Sequence, residues 1–148
     1  HQLKYKGNRE LGWQLGRIMG IQLLQSGRFQ ADALVPLPLF PDRERKRGYN
    51  QSALLCEGIA EILRIPVWQD AVIRPLYTST QTRKGRMERW KNMEGKFLLA
   101  DAQRLRQHKI LLVDDVITTG ATLEACGAVI LQAEGVELSV AALCYAVR

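Results

Sequence analysis

The run Lys109-Ile-Leu-Leu-Val-Asp-Asp-Val-Ile-Thr-Thr-Gly-Ala-Thr122 holds the densest chemistry in the chain. Its apolar half, Ile110–Val113, has the unbroken hydrophobicity of a central parallel strand buried on both faces. Such a strand delivers two adjacent carboxylates, Asp114 and Asp115, to its carboxyl end, where open α/β sheets bind ligands. A turn of small residues, Thr118-Thr119-Gly120-Ala121-Thr122, then opens a helix. Free backbone N–H groups and the positive end of a helix dipole make such a turn a phosphate cradle. Gly120 admits close backbone approach or a positive φ, and the three threonines add hydroxyl donors. Carboxylates beside a phosphate cradle suit a ligand that also offers hydroxyls or a bridging cation, and a ribose 5-phosphate meets that description. Singly, an aspartate capping a turn or a threonine capping a helix is ordinary. In this order, at the end of an apolar strand, they point to a site.

The elements that position this site follow from periodicity. Asn8 would cap a first helix with an apolar stripe of Leu11, Leu15, Ile18, Met19 and Leu23, and its Gly12, Gly16 and Gly20 predict close packing against a neighbour. Ala33–Val35 reads as a short buried strand ending in Pro36-Leu37-Pro38, followed by a polar, basic loop to Tyr49. Asn50 caps a second helix, with Leu54, Leu55, Gly58, Ile59, Ile62 and Leu63 inward, which stops before Pro66. Val72–Arg74 and Phe97–Leu99 read as strands, and Ser139–Val147 as a last buried strand. The helix after the acidic strand runs from about Ala121 to Ala133. Strands alternating with helices define an α/β fold with a central, mostly parallel sheet flanked by helices.

A chain of 148 residues is one domain's worth, read as a helical region over 1–29 and a core over 30–148. Its 47% hydrophobic and 24% charged composition excludes wholesale disorder. No apolar run approaches the roughly 20 residues a membrane span needs, and no signal peptide is expected at the start. Cys56, Cys126 and Cys144 lack metal-ligand spacing and are odd in number, which suits a reducing cytoplasm and three small buried apolar residues.

The net charge of +6 is localised. Arg43–Arg47 carries +3 and Arg74–Lys96 carries +5, leaving −2 for everything else. Two such segments attract anions, either a phosphorylated metabolite or a nucleic-acid backbone. The polar stretch from Tyr77 to Asn92 has almost no apolar periodicity, which inside a small domain marks a functional or mobile loop. His108 reads as a surface residue, and Tyr49 and Trp90 as anchors for their loops.

Val113-Asp-Asp-Val-Ile-Thr-Thr-Gly-Ala-Thr122 resembles the signature of the type I phosphoribosyltransferases, which bind 5-phosphoribosyl-1-diphosphate (PRPP). The resemblance implies that Asp114 and Asp115 hold the ribose hydroxyls, with Mg²⁺ entering with PRPP and touching these acids. It further implies that Thr118, Thr119, Gly120, Ala121 and Thr122 wrap the 5′-phosphate. Val35-Pro-Leu-Pro38, Arg45-Lys-Arg-Gly-Tyr-Asn-Gln51 and Gln81-Thr82 through Gly95-Lys96-Phe97 are similar to the ComF/GntX family, over about Tyr5 to Val147.

By that resemblance, Pro36, Leu37, Arg45, Lys46 and Arg47, with Arg43 beside them, belong to the pyrophosphate loop. Gln81, Arg83, Arg86 and Arg89 belong to a flexible loop that closes over the site. The expected reaction is displacement of pyrophosphate from PRPP by a nitrogen nucleophile, with a link to DNA uptake in competence. A non-catalytic PRPP- or nucleotide-binding regulatory module and a single-stranded DNA accessory protein are the alternatives. Family members carry an N-terminal zinc ribbon of four cysteines, and this chain starts where the ribbon would end. Leu3–Phe29 and the chain's end are the candidates for the hood that selects the acceptor, and they offer no readable pocket. A homodimer, common in this fold, is also expected.

Overall fold

The computed structural model describes residues 2–75 and 97–146. Three parallel strands form its main sheet: β1 (Ala33–Pro36), β4 (Lys109–Ile117) and β5 (Glu137–Tyr145), with β4 in the middle. Alternation along β4 explains why its apolar run is continuous. Ile110 and Leu112 join Ala33, Val35, Leu123, Cys126 and Ile130 on one face. Leu111 and Val113 join Leu34, Met19, Leu55, Cys56 and Ile59 on the other. Each large aliphatic side chain so buried stabilises the fold by roughly 1.5–3 kcal/mol. A second, two-stranded antiparallel sheet pairs β2 (Val72–Ile73) with β3 (Leu98–Leu99).

Two helices cover the second face. The first, α1, spans Gln2–Ser26, so Asn8 lies within it and is not its cap, a correction to the sequence expectation. Its stripe is also narrower than expected: Met19 is buried and Leu15 and Leu23 pack inward, but Leu11 and Ile18 face solvent. The glycine spacing does what it predicts. A Cβ at Gly16 would meet the Leu55 carbonyl and lie 2.9 Å from Leu55 Cα, so α1 crosses α3 (Gln51–Leu63) backbone to backbone.

Asn50 caps α3, its Oδ1 accepting from the N–H groups of Ser52 (2.9 Å) and Ala53 (3.4 Å), while its Nδ2 donates to Leu37 O (3.1 Å). One side chain thus caps the helix and fastens the end of the β1 loop. Asn50→Ala removes both roles and lowers stability by about 1–2 kcal/mol, measured by urea unfolding.

Three further elements differ from the sequence reading. The loop after β1 contains a short helix, α2 (Pro41–Arg47), with acids in its first turn, three basic residues in its last, and Gly48 in the left-handed conformation behind it. The short α4 (Ala102–Leu105) precedes β4, and α5 (Ala121–Ile130) follows it. β5, expected to be buried, is an edge strand with Val140, Leu143 and Tyr145 exposed, and Cys144 on it is exposed too. His108 is half-buried, edge-on against the Trp68 ring at 5.3 Å.

Candidate active site

β4 extends past its apolar half to Ile117, so Asp114 and Asp115 sit within the strand's last turns of pleat and not after its end. Pleating sends them to opposite sides. Asp114 is buried, accepts from Asp115 N–H at 2.7 Å, and lies 3.5 Å from the Ser52 hydroxyl at the start of α3. Burial, and then the neighbouring Asp115, push its carboxyl up to about 6. Asp115 is half-exposed and accepts from Val116 N–H at 2.9 Å.

The turn that follows opens α5 with Gly120 at φ +83°, and no side chain caps the helix. Thr119 Oγ1 accepts from Ala121 N–H at 3.2 Å, and Glu124 N–H closes on Gly120 O at 2.9 Å. The Thr119 hydroxyl thus takes the Ala121 amide, while the next first-turn amides, at Thr122 and Leu123, carry no side-chain cap.

That cleft encloses about 250 Å³. Asp114, Asp115, Thr118, Thr119, Gly120 and Thr122 line it, together with Leu37, Arg43, Arg47 and Arg74. Ala121 contributes no lining surface. Pro36 ends β1 and lines a neighbouring recess, while Leu37 N–H donates to Val113 O at 2.8 Å. Arg45 is engaged with Asp42 on the exposed side of α2, and neither it nor Lys46 lines the cleft. The helical turn explains the difference, since Arg43 and Arg47 are four residues apart and share one face. Gln81, Arg83, Arg86 and Arg89 lie outside the described residues.

Sequence reasoning missed Ser52 and the placement of Arg74. It also missed a second recess of about 350 Å³ where α1, α3 and the ends of β4 and β5 meet. Leu11, Leu15, Leu54, Val116 and Leu143 give it apolar walls, and Asp115 and Gln51 are shared with the cleft. Tyr49, buried at its rim, anchors its loop and carries Arg9 at 5.8 Å from its ring centroid. No signal of period or motif marks this recess, because its walls come from four separate elements.

The parallel sheet, the acids ending its central strand and the uncapped turn behind them define the type I phosphoribosyltransferase fold. The glutamine phosphoribosylpyrophosphate amidotransferase of B. subtilis superposes with a TM-score of 0.59 at 20% identity, over 94% of this chain and 26% of that one. The chain is 31% identical to the DNA utilization protein YhgH of Escherichia coli over 97% of its own length. It is 39% identical to competence protein F of Haemophilus influenzae over 62% of this chain and 41% of that protein. Homology and fold agree with the ComF family of type I phosphoribosyltransferase-like proteins. The chain spans 64% of the length of the curated YhgH relatives it matches. No family model matches it.

Proposed function

We propose that the chain binds PRPP with Mg²⁺ and transfers its phosphoribosyl group to a nitrogen nucleophile, releasing pyrophosphate. The observation that carries this reading is the single cleft shared by the two β4 carboxylates and the uncapped opening of α5. Asp114 and Asp115 would accept from the ribose hydroxyls, and Thr118–Thr122 would hold the 5′-phosphate through amides and hydroxyls.

The donor set fits a Mg²⁺ that arrives on its ligand. Among the described residues no cluster of three or more His, Cys, Asp or Glu could hold a metal alone. One or two carboxylates plus phosphate oxygens is the usual Mg²⁺ environment. When bound, the ion would neutralise the leaving pyrophosphate.

In the reaction the bond from C1 to the pyrophosphate oxygen breaks with its electron pair on oxygen. The nucleophile's lone pair forms the new C1–N bond, and its proton leaves to solvent or pyrophosphate. The apolar recess beside Asp115 would seat the acceptor's ring against Leu11, Leu15 and Val116 and keep water from C1. Asp114 and Asp115 would favour the positive charge developing on the ribose ring. A cytoplasmic location and a homodimer belong to the same reading. Among the described residues no helix is long and apolar enough to cross a membrane.

A second reading draws on the relatives' names, DNA utilization and competence, and on the localised positive charge: a module that contacts single-stranded DNA or regulates a competence partner. Calorimetric titration separates the two. Mg–PRPP binds with a roughly micromolar dissociation constant that needs Mg²⁺ and changes little between 50 and 200 mM salt. An oligonucleotide held by several phosphates would instead weaken by orders of magnitude across that range. No binding of Mg–PRPP by the folded chain overturns the proposal.

A further inference from the structure

The apolar recess and the polar cleft meet at Gln51, Asp115 and Val116, which line both, yet the two cavities differ in charge. Three arginines, Arg43, Arg47 and Arg74, line the cleft. Among the described residues the recess has one charged side chain, Asp115, and no cation. Its other polar side chains, Asn8, Tyr49 and Gln51, are neutral. Arg9 does not line it, and its guanidinium is drawn over the Tyr49 ring, 5.8 Å from the centroid.

Gln51 is the polar group of the recess with a fixed orientation. It opens α3, and its Oε1 accepts from Arg47 Nη1 at 3.0 Å. With the oxygen engaged by a cation, the end of the amide left for a ligand is the Nε2 donor. A ring nitrogen or an exocyclic carbonyl is its complement. A carboxylate fits the recess poorly, because it would lose hydration among Leu11, Leu15, Leu54 and Leu143 without gaining a cation. It would also lie near the like charge of Asp115. The volume of about 350 Å³ is at the small end for ligand pockets and suits one compact ring system.

We propose that the recess selects an uncharged nitrogen ring carrying a hydrogen-bond acceptor and rejects rings that bear a carboxylate, with Gln51 as the specificity-determining residue. The recess takes this role under the reading of the adjoining cleft as a PRPP site, and its chemistry narrows the acceptor to neutral heterocycles.

Matched probes with and without a carboxylate test it: nicotinamide against nicotinate, and uracil against orotate. Each is titrated into leucine-methyl-labelled protein, without and with saturating Mg–PRPP, and followed by NMR. The uncharged member of each pair is expected to shift the methyl resonances of Leu11, Leu15 and Leu143 and to bind roughly tenfold or more tighter than the acid. Leu143→Arg supplies the missing cation at a position already 37% exposed, and is expected to raise nicotinate affinity by roughly tenfold and reverse the preference. If Leu143→Arg does not fold, Leu11→Arg supplies the cation from α1 and decides the matter in the same way. Gln51→Met removes the donor and is expected to weaken nicotinamide by roughly fivefold.

Equal affinity for acid and neutral ring, no gain of nicotinate binding in the arginine variant, or no ring binding at these leucines overturns the selectivity. Unchanged nicotinamide affinity in Gln51→Met overturns the role of Gln51. Charge-selective ring binding by a chain that does not bind Mg–PRPP overturns the PRPP reading and leaves the selectivity standing. Normal Mg–PRPP binding beside rings bound without regard to charge does the converse.

Discussion

Replacing Asp114 and Asp115 together by asparagine weakens Mg–PRPP binding at least a hundredfold, and does so in a protein more stable than the wild type. Each carboxylate would accept charge-assisted hydrogen bonds worth about 1.5–3 kcal/mol, so losing both removes about 3 kcal/mol or more. Calorimetry reads the affinity. Binding retained within tenfold would remove the acids from the site.

The stability gain belongs to Asp114. Its carboxyl is buried and pushed up to about 6, against 3.8 for a free side chain. Below about pH 4 both folded and unfolded forms hold the proton, and the group exerts no penalty. Between about pH 4 and 6 the unfolded chain releases its proton first, so stability falls as pH rises, and above about pH 6 the penalty is complete. Asp114→Asn therefore melts higher than wild type at pH 7.5, by about 2 kcal/mol or on the order of 5 °C, and the difference disappears near pH 4. Scanning calorimetry at the two pH values checks it, and equal melting temperatures at pH 7.5 would refute it. A charge held where it weakens the fold is what a binding function predicts of this position.

Gly58→Ala is expected to destabilise the protein by about 3 kcal/mol or more, the largest single effect on the fold. A Cβ there would meet the Trp13 carbonyl and lie 2.5 Å from Arg17 N and 2.7 Å from Gly16 C, all backbone atoms of α1 that no rotamer change can move. Gly16→Ala drives the same wedge from the other side, against the backbone of Leu55. Because either change already separates the helices, the double variant loses less than the two single losses combined.

Two other glycines of α1 have more room. At Gly12 a Cβ meets only the Leu54 side chain, at 3.3 Å, so alanine there costs under about 1 kcal/mol. At Gly7 it meets nothing within 4 Å, and alanine stabilises by up to about 1 kcal/mol through helix propensity. Urea unfolding of the four variants gives the ranking. A Gly58→Ala protein as stable as wild type would mean that the helices do not cross at this distance. Separating α1 from α3 also opens the apolar recess, which both helices line.

The parts of this structure that were legible in the sequence are those with a local cause. The apolar run of β4 was readable because burial on both faces leaves no polar position. Asn50 was readable because it directly precedes the inward-facing positions of α3. The close approach of α1 to a neighbour was readable because its spaced glycines allow it, while the identity of that neighbour, α3, was not.

The misses have physical reasons. α2 hid inside a charged stretch, although Pro41 at its start, acids before bases along it and Gly48 behind it together mark a helix. β5 and β4 are alike in apolar content, and only the number of strands beside each makes one an edge. Arg74 sits between Ile73 and Pro75 with no spacing to any other charge, and its setting depends on Phe40 and Phe97, which are remote in sequence.

The three thiols are far from equivalent. Cys56 and Cys126 are buried and their acidity is suppressed, with burial pushing Cys126 up to about 12 and Cys56 higher still. Cys144 is exposed on the edge strand, next to Leu143 at the wall of the apolar recess. A thiol-reactive fluorophore would therefore attach at one place among the described residues without any engineered cysteine. The label would sit one residue from the surface where an acceptor would arrive. The native chain thus carries its own attachment point for an optical binding sensor, with which candidate nucleophiles could be ranked before any of them is shown to react.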